Sequence, residues 1–174
     1  MAGISGENWR SGIFDVLKRL KIETVVYVPD AGHAQLIERC LSDSTIDCFP
    51  LLNEFEAVGV STGAWLGGKR TCVLIQSSGV GNTINALSLA HSTGAPFFAV
   101  VTMRGEWGEF NPWQAPMGQA TADILECTGA VVNKAATADD VIPVVESSGN
   151  LAFGSYLPVF ALISQRVTGA KVFK

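Results

Sequence analysis

Apolar positions in this chain fall into short continuous runs that alternate with stretches of helical period. Ile4 to Leu20 places Ile13, Val16, Leu17 and Leu20 on one stripe of an amphipathic helix. Thr24 to Val28 is a β-branched run ending at Pro29-Asp30. Ala34 to Leu41 reads as a helix and Ile46 to Leu52 as a strand. Glu54 to Leu66 reads as a helix that stops at Gly67-Gly68. Thr71 to Ile75 is a buried strand, and Val80 to Ala90 is a helix opening after a glycine-containing turn. Pro96 to Thr102 is another apolar strand. Gly105 to Gly118 is an irregular stretch rich in Gly, Pro and Trp, followed by a helix from Ala120 to Cys127. Ala130 to Val132 reads as a short strand. Ala138 to Phe153 is a helix that Pro143 either interrupts or opens in its first turn, and Leu157 to Ile163 is the last strand. Strands that are apolar throughout and alternate with helices predict an α/β fold. The expected sheet is open, mostly parallel, of about six strands, with helices on both faces.

Composition narrows this picture. The 174 residues suit one domain, and no repeat, low-complexity tract or linker divides them. Hydrophobic residues make up 48% and charged residues 16%, so apolar that part of the surface is expected to be covered by a partner. A net charge of −4 offers no basic field for nucleic acid. No apolar run approaches a membrane span, and Met1 to Arg10 has no signal-peptide character. Cys40, Cys48, Cys72 and Cys127 form no CxxC pair, which suits reduced thiols in a cytoplasmic protein. With only His33 and His91, a histidine metal site is not expected.

Ligands of open parallel sheets bind beyond the carboxyl ends of the strands. Four segments follow such ends: Pro29 to His33, Asn53-Glu54, Gln76 to Asn82, and Met103 to Gly118. Each is polar or glycine-rich. Glu54 and Glu56 are carboxylates about 200° apart around a helix, and Glu54 is nearer the strand end; either also suits a helix N-terminus. Ser78-Gly79-Val80-Gly81-Asn82 reads as a turn where backbone can approach a flat ligand, as a plain strand-to-helix turn, or with Asn82 as an N-cap. Arg104 suits an oxyanion or a salt bridge to Glu106 or Glu109. His33 and Gln114 stand close enough to strand ends to meet a substrate or to serve structure. His91 reads as structural. Trp107 and Trp113 read as packing on a partner or lid.

Three of these segments, in order, resemble one family. Asn53-Glu54-Phe55-Glu56-Ala57 followed by Gly63 and Gly67-Gly68-Lys69-Arg70 resembles the signature helix of thiamine-diphosphate pyrimidine domains. Ser78-Gly79-Val80-Gly81-Asn82 resembles that family's Gly-Pro-Gly-x-x-Asn turn, shortened and with Val80 where Pro is common. Arg104-Gly105-Glu106-Trp107-Gly108-Glu109 with Gln114-Ala115-Pro116-Met117-Gly118 is similar to the sulfopyruvate and phosphonopyruvate decarboxylases. The resemblance spans about Val25 to Ile163. It departs at Ala115, where the phosphonopyruvate enzymes carry His, and at Met103, where an aromatic or His is usual; both tilt the reading to the sulfopyruvate branch.

The resemblance implies a subunit of a non-oxidative decarboxylase of a small anionic 2-oxo acid, sulfopyruvate before phosphonopyruvate. The implied cofactor is thiamine diphosphate, with Glu54 as the catalytic carboxyl on its ring nitrogen. Ser78, Gly79, Val80, Gly81 and Asn82 would line the cofactor, and Arg104, His33 and Gln114 would meet the substrate. The Gly-Asp-Gly that holds diphosphate and Mg2+ in this family does not occur in the chain. A beta subunit is therefore expected to carry that half and the metal, in a heterotetramer or larger assembly. Two other readings stand beside it. One is a regulatory subunit that kept the fold without the chemistry. The other is a nucleotide-binding module built on Gly79 and Gly81, which lacks the GxGxxG spacing.

Overall fold

Residues 9–169 are described by a computed structural model. The element order is α1 (Trp9–Arg19), β1 (Ile22–Tyr27), α2 (Ala34–Leu41), β2 (Asp47–Pro50), α3 (Phe55–Leu66), β3 (Arg70–Gln76) and α4 (Ser77–Thr83). Then come α5 (Leu87–Thr93), β4 (Phe97–Thr102), a 3-10 turn (Pro112–Gln114), α6 (Ala115–Cys127), β5 (Val131–Ala135), α7 (Ala138–Ser155), β6 (Pro158–Ile163) and α8 (Gln165–Thr168). The expected start of the first helix at Ile4 lies outside the described residues.

All six strands run parallel, in the order β2-β1-β3-β4-β6-β5. The chain steps outward from β1 to β2, then crosses back over β1 to β3. That reversal opens a crevice at the carboxyl edge between β1 and β3. β4 and β6 are buried at every position, as expected of central strands covered on both faces. One core, with Ile13, Leu17, Val25, Leu74, Phe98 and Val145, lies under α1, α2 and α7. The other, with Val58, Val73, Val80, Leu87, Phe97, Leu125 and Phe160, lies under α3 to α6.

Local chemistry sets several boundaries. The Asn53 side-chain oxygen accepts from the Phe55 amide (2.9 Å) and turns the chain into α3. Gly68, at φ +83°, ends that helix where a side chain would be strained. Thr137 and Asp140 form a reciprocal capping box at the start of α7.

Three expectations are corrected. The helix expected from Val80 to Ala90 is two helices, and the first opens at Ser77, directly on the strand end. The glycine-containing turn is therefore itself helical. The irregular stretch ends early, because Pro116 fits the first turn of α6 and the helix begins at Ala115. Pro143 lies inside α7, beyond its first turn, and the helix runs on through it.

Candidate active site

Glu54 is the residue from which the site is built. It occupies the N-cap position of α3, is 6% exposed, and makes no capping bond with its side chain. The carboxylate instead turns toward α4. Asn82 Nδ2 donates to Glu54 Oε2 at 2.8 Å, and Oε1 has no donor among the described residues. Oε1 rests on Gly79: a Cβ built there would stand 2.0 Å from it. Gly79 is thus required by the contact of a helix with a buried carboxylate, rather than by a turn. Glu56, the competing carboxylate, is half-buried and folds back to accept from the Leu52 amide at 3.0 Å.

The rest of the segment divides by helical period. Val80 is fully buried in the second core, so its side chain cannot line a cofactor. Gly81 and Asn82 are exposed and Ser78 is half-buried. Asn82 is not an N-cap; it lies within α4 with its amide on Glu54. Ser77 is fully buried. Its hydroxyl donates to the Arg104 carbonyl (3.2 Å) and accepts from the Arg104 amide (2.9 Å), tying β3 to the loop after β4.

Arg104 is paired. Its Nε and Nη2 meet Glu109 Oε2 and Oε1 at 2.8 and 2.6 Å, a bidentate bond. Glu109 also accepts from the amides of Gly105 and Asn111 and from Gln165 Nε2. Hydrogen bonding from Arg104, opposed by burial, holds the Glu109 carboxyl down at about 2, and the same bond raises the Arg104 guanidinium. Arg104 Nη1 has no hydrogen-bond partner among the described residues.

Two expected substrate contacts change character. His33 is 1% exposed, and its Nε2 donates to the Ile75 carbonyl at 3.1 Å. Burial lowers its pKa, so the ring is a neutral internal tie and is withdrawn from substrate. Gln114 is 3% exposed, and its Oε1 has no hydrogen-bond partner. Gln76, at the end of β3, has the same orphaned Oε1. Both amides stand at the carboxyl edge with unmet polar atoms, which a ligand could satisfy. Gln76 is not legible as a site residue in the sequence, because a lone amide at a strand end has no pattern.

The Arg-Gly and Met-Gly pairs also gain a physical reason. A Cβ on Gly118 would lie 1.8 Å from the Arg104 carbonyl oxygen, and one on Gly105 would lie 2.4 Å from the Gln114 carbonyl. The two glycines let the loop after β4 cross α6 backbone to backbone.

Beside Glu54 the surface is apolar. Leu52, Phe55, Leu66 and Leu89 are 92%, 54%, 80% and 45% exposed. Phe55, Gly59, Gly63 and Leu66 share one stripe of α3, and nothing lies within 4 Å of a Cβ at either glycine. A groove lined by Phe55, Val58, Gly59, Ala86 and Leu89 runs between α3 and α5. Among the described residues no helix is long and apolar enough to cross a membrane. Nor does any group of three or more His, Cys, Asp or Glu among them suit a metal ion.

An open parallel sheet with helices on both faces and a buried glutamate opening α3 defines an α/β domain, and the chain belongs to the family described as "Thiamine pyrophosphate enzyme, N-terminal TPP binding domain", which matches residues 8–127. Among individual proteins it is 31% identical over 157 residues to a sulfopyruvate decarboxylase subunit alpha of Methanococcus maripaludis, covering 90% of this chain and 94% of that one. It is 38% identical over 114 residues to the subunit of that name from Methanothermobacter thermautotrophicus, 65% of this chain and 69% of the other. A phosphonopyruvate decarboxylase of Streptomyces viridochromogenes is 39% identical over 112 residues, 63% of this chain but 28% of its own length. A solved 2-oxoglutarate:ferredoxin oxidoreductase of Magnetococcus marinus has the same fold, with TM-score 0.70 at 15% identity over 92% of this chain and 29% of its own.

Proposed function

We propose that this chain is the pyrimidine-binding subunit of a two-chain, thiamine-diphosphate-dependent decarboxylase. It would convert sulfopyruvate to sulfoacetaldehyde and carbon dioxide. The observation that carries the reading is Glu54: a buried carboxylate with one oxygen held by Asn82 and the other, over Gly79, without a donor. That free oxygen fits a protonated ring nitrogen of the cofactor's pyrimidine. Bound thiamine diphosphate supplies the carbon nucleophile and the electron sink that decarboxylation of a 2-oxo acid needs.

This chain's residues then have distinct tasks. Glu54 Oε1 holds a proton at the ring nitrogen, and burial strengthens that bond. Asn82 fixes the carboxylate plane. Gly79 allows the close approach; Ser78 is one helical turn from Asn82, and Gly81 faces Met117 of α6 instead. Gln114 offers an unmet amide to the substrate.

The chain is read as a single pyrimidine-binding domain, a reading supported by two cores that pack on one sheet among the described residues. A beta subunit carrying the Mg2+ and diphosphate half would cover the apolar stripe of α3, in an assembly of at least two of each chain. The relatives named "subunit alpha" support such a partner. A sulfopyruvate decarboxylase of Methanosarcina acetivorans, of which this chain covers 40%, leaves room for such a second half. Four free thiols suit the cytoplasm. Phosphonopyruvate is the rival substrate, favoured by the enzymes of that name among the relatives.

Decarboxylation of sulfopyruvate is measured with cofactor and Mg2+, using this chain, its partner, and both together. Turnover by the pair alone is expected. Turnover by this chain alone would overturn the split site. Turnover by the partner alone would make the chain regulatory. A preference for phosphonopyruvate would correct the substrate.

A further inference from the structure

The carboxyl ends of β1 and β4 enclose a small cleft on the side of the sheet covered by α1. Glu54 opens α3 on the other face. Arg10, Asp30, Ala31, Gly32, Thr102 and Arg104 form most of its wall, around about 90 Å3. That space is too small for a two-ring cofactor and its diphosphate. It suits a headgroup of a few heavy atoms.

The charges of this wall are unevenly matched. Arg104 spends Nε and Nη2 on Glu109 and keeps Nη1. The Asp30 carboxylate takes the Thr102 hydroxyl at 2.6 Å and the Gly32 amide at 3.1 Å, which absorb part of its charge. Arg10 has no carboxylate partner among the described residues. Its guanidinium carbon lies 4.2 Å from the ring centroid of buried Trp9, which holds it flat. It is also half-buried, and desolvation lowers its pKa with no anion to offset the cost. A partly desolvated cation with no carboxylate partner among the described residues, lining the same cleft as a second guanidinium, suits an oxyanion.

We propose that this cleft is the subsite for the terminal oxyanion of the 2-oxo acid. Arg10 is the cation that receives it and Arg104 Nη1 is the second donor. The proposal rests on the decarboxylase reading and adds a specificity-determining residue to it. A tetrahedral sulfonate or phosphonate presents three acceptor oxygens to two guanidinium groups, which a methyl group in the same place cannot do. Arg10 would therefore separate sulfopyruvate and phosphonopyruvate from pyruvate, while Glu54 serves all three alike.

The test uses the assembled complex with its partner subunit, comparing wild type, Arg10→Gln and Arg10→Lys. Losing a charge-assisted bond to the anion should raise the KM for sulfopyruvate about tenfold or more in Arg10→Gln. Its kcat should stay within twofold, and Arg10→Lys should recover part of the loss. The KM for pyruvate should not move. A sulfopyruvate KM within twofold of wild type in Arg10→Gln would overturn the proposal. A second readout is independent of turnover: tryptophan fluorescence of the complex titrated with ethanesulfonate or, separately, ethylphosphonate, with Trp9 beneath the guanidinium as reporter. A saturable response in wild type that is lost in Arg10→Gln supports the subsite even if sulfopyruvate is not turned over, in which case the substrate reading alone fails. The stronger of the two responses names the oxyanion. No saturable response to either in wild type overturns the subsite.

Discussion

Replacing Gly79 by alanine tests the geometry around Glu54 with a single methyl group. A Cβ at this position would stand 2.0 Å from Glu54 Oε1, 2.3 Å from its Cδ and 2.7 Å from its Cγ. Ordinary contact begins near 3.4 Å. The carboxylate must therefore move by about 1.4 Å, or α4 must back away by as much. Glu54 is buried and bonded to Asn82, so a shift breaks that bond as well. Two effects on stability oppose each other. Alanine gains about 0.5–1 kcal/mol over glycine in a helix, and overpacking costs about 1–3 kcal/mol. The net loss should be about 0–2.5 kcal/mol, small enough for the chain to fold. The functional cost should be larger, since about 1 Å of misplacement at a reacting group costs on the order of a hundredfold in rate. Urea denaturation of the chain and kcat of the assembled complex measure the two separately. Activity within threefold of wild type, with unfolding unchanged, would refute the claim that Gly79 exists to seat Glu54.

Further outcomes follow from the buried charges. Glu109→Gln leaves Arg104 without its bidentate partner. Depression of the Glu109 carboxyl from 4.5 to about 2 corresponds to about 3 kcal/mol unscreened, and solvent at the partly open guanidinium should cut the observed loss to about 1–2 kcal/mol. Because the folded pKa lies below the unfolded one, this stability is complete above about pH 4.5 and fades as pH falls toward 2. Denaturation curves of wild type and Glu109→Gln should therefore converge over that window; a gap that stays constant would contradict the pairing. His33 behaves differently, since burial lowers its pKa. Wild-type stability should decline as pH drops below about 6.5, where the unfolded chain takes up a proton that the folded chain refuses. His33→Leu should be less stable at pH 8 but lack this component of the slope. An unchanged slope would show that another group carries it.

Much of the fold was readable because β4 and β6 are buried on both faces and show as unbroken apolar runs, Phe97–Thr102 and Pro158–Ile163. Helix α2 kept its expected ends, since its apolar stripe is clear. The errors cluster where function or tight packing overrides propensity. Ser77 to Thr83 contains two glycines and two serines, which propensity assigns to a turn. It is helical because Gly79 and Val80 must pack against Glu54 and the core. Pro116 began a helix earlier than composition suggested. At the site, Glu54 is buried and Glu56 half-buried, and of the two salt-bridge partners expected for Arg104 the structure has Glu109. The burial of His33 was not legible, because a histidine after a strand looks the same whether it faces solvent or a backbone carbonyl. Arg10 was invisible as well, since a cation near a helix start carries no pattern until β1 and β4 bring it a cleft.

The most direct test of the account is kcat of the Glu54→Gln complex, with partner assembly and cofactor binding measured alongside. Glutamine keeps the shape and the bond to Asn82 but cannot hold the proton as a carboxylate does. A fall in kcat of about a hundredfold or more with assembly intact is the predicted result. Turnover equal to wild type would contradict the assignment of Glu54 and, with it, the proposed active site.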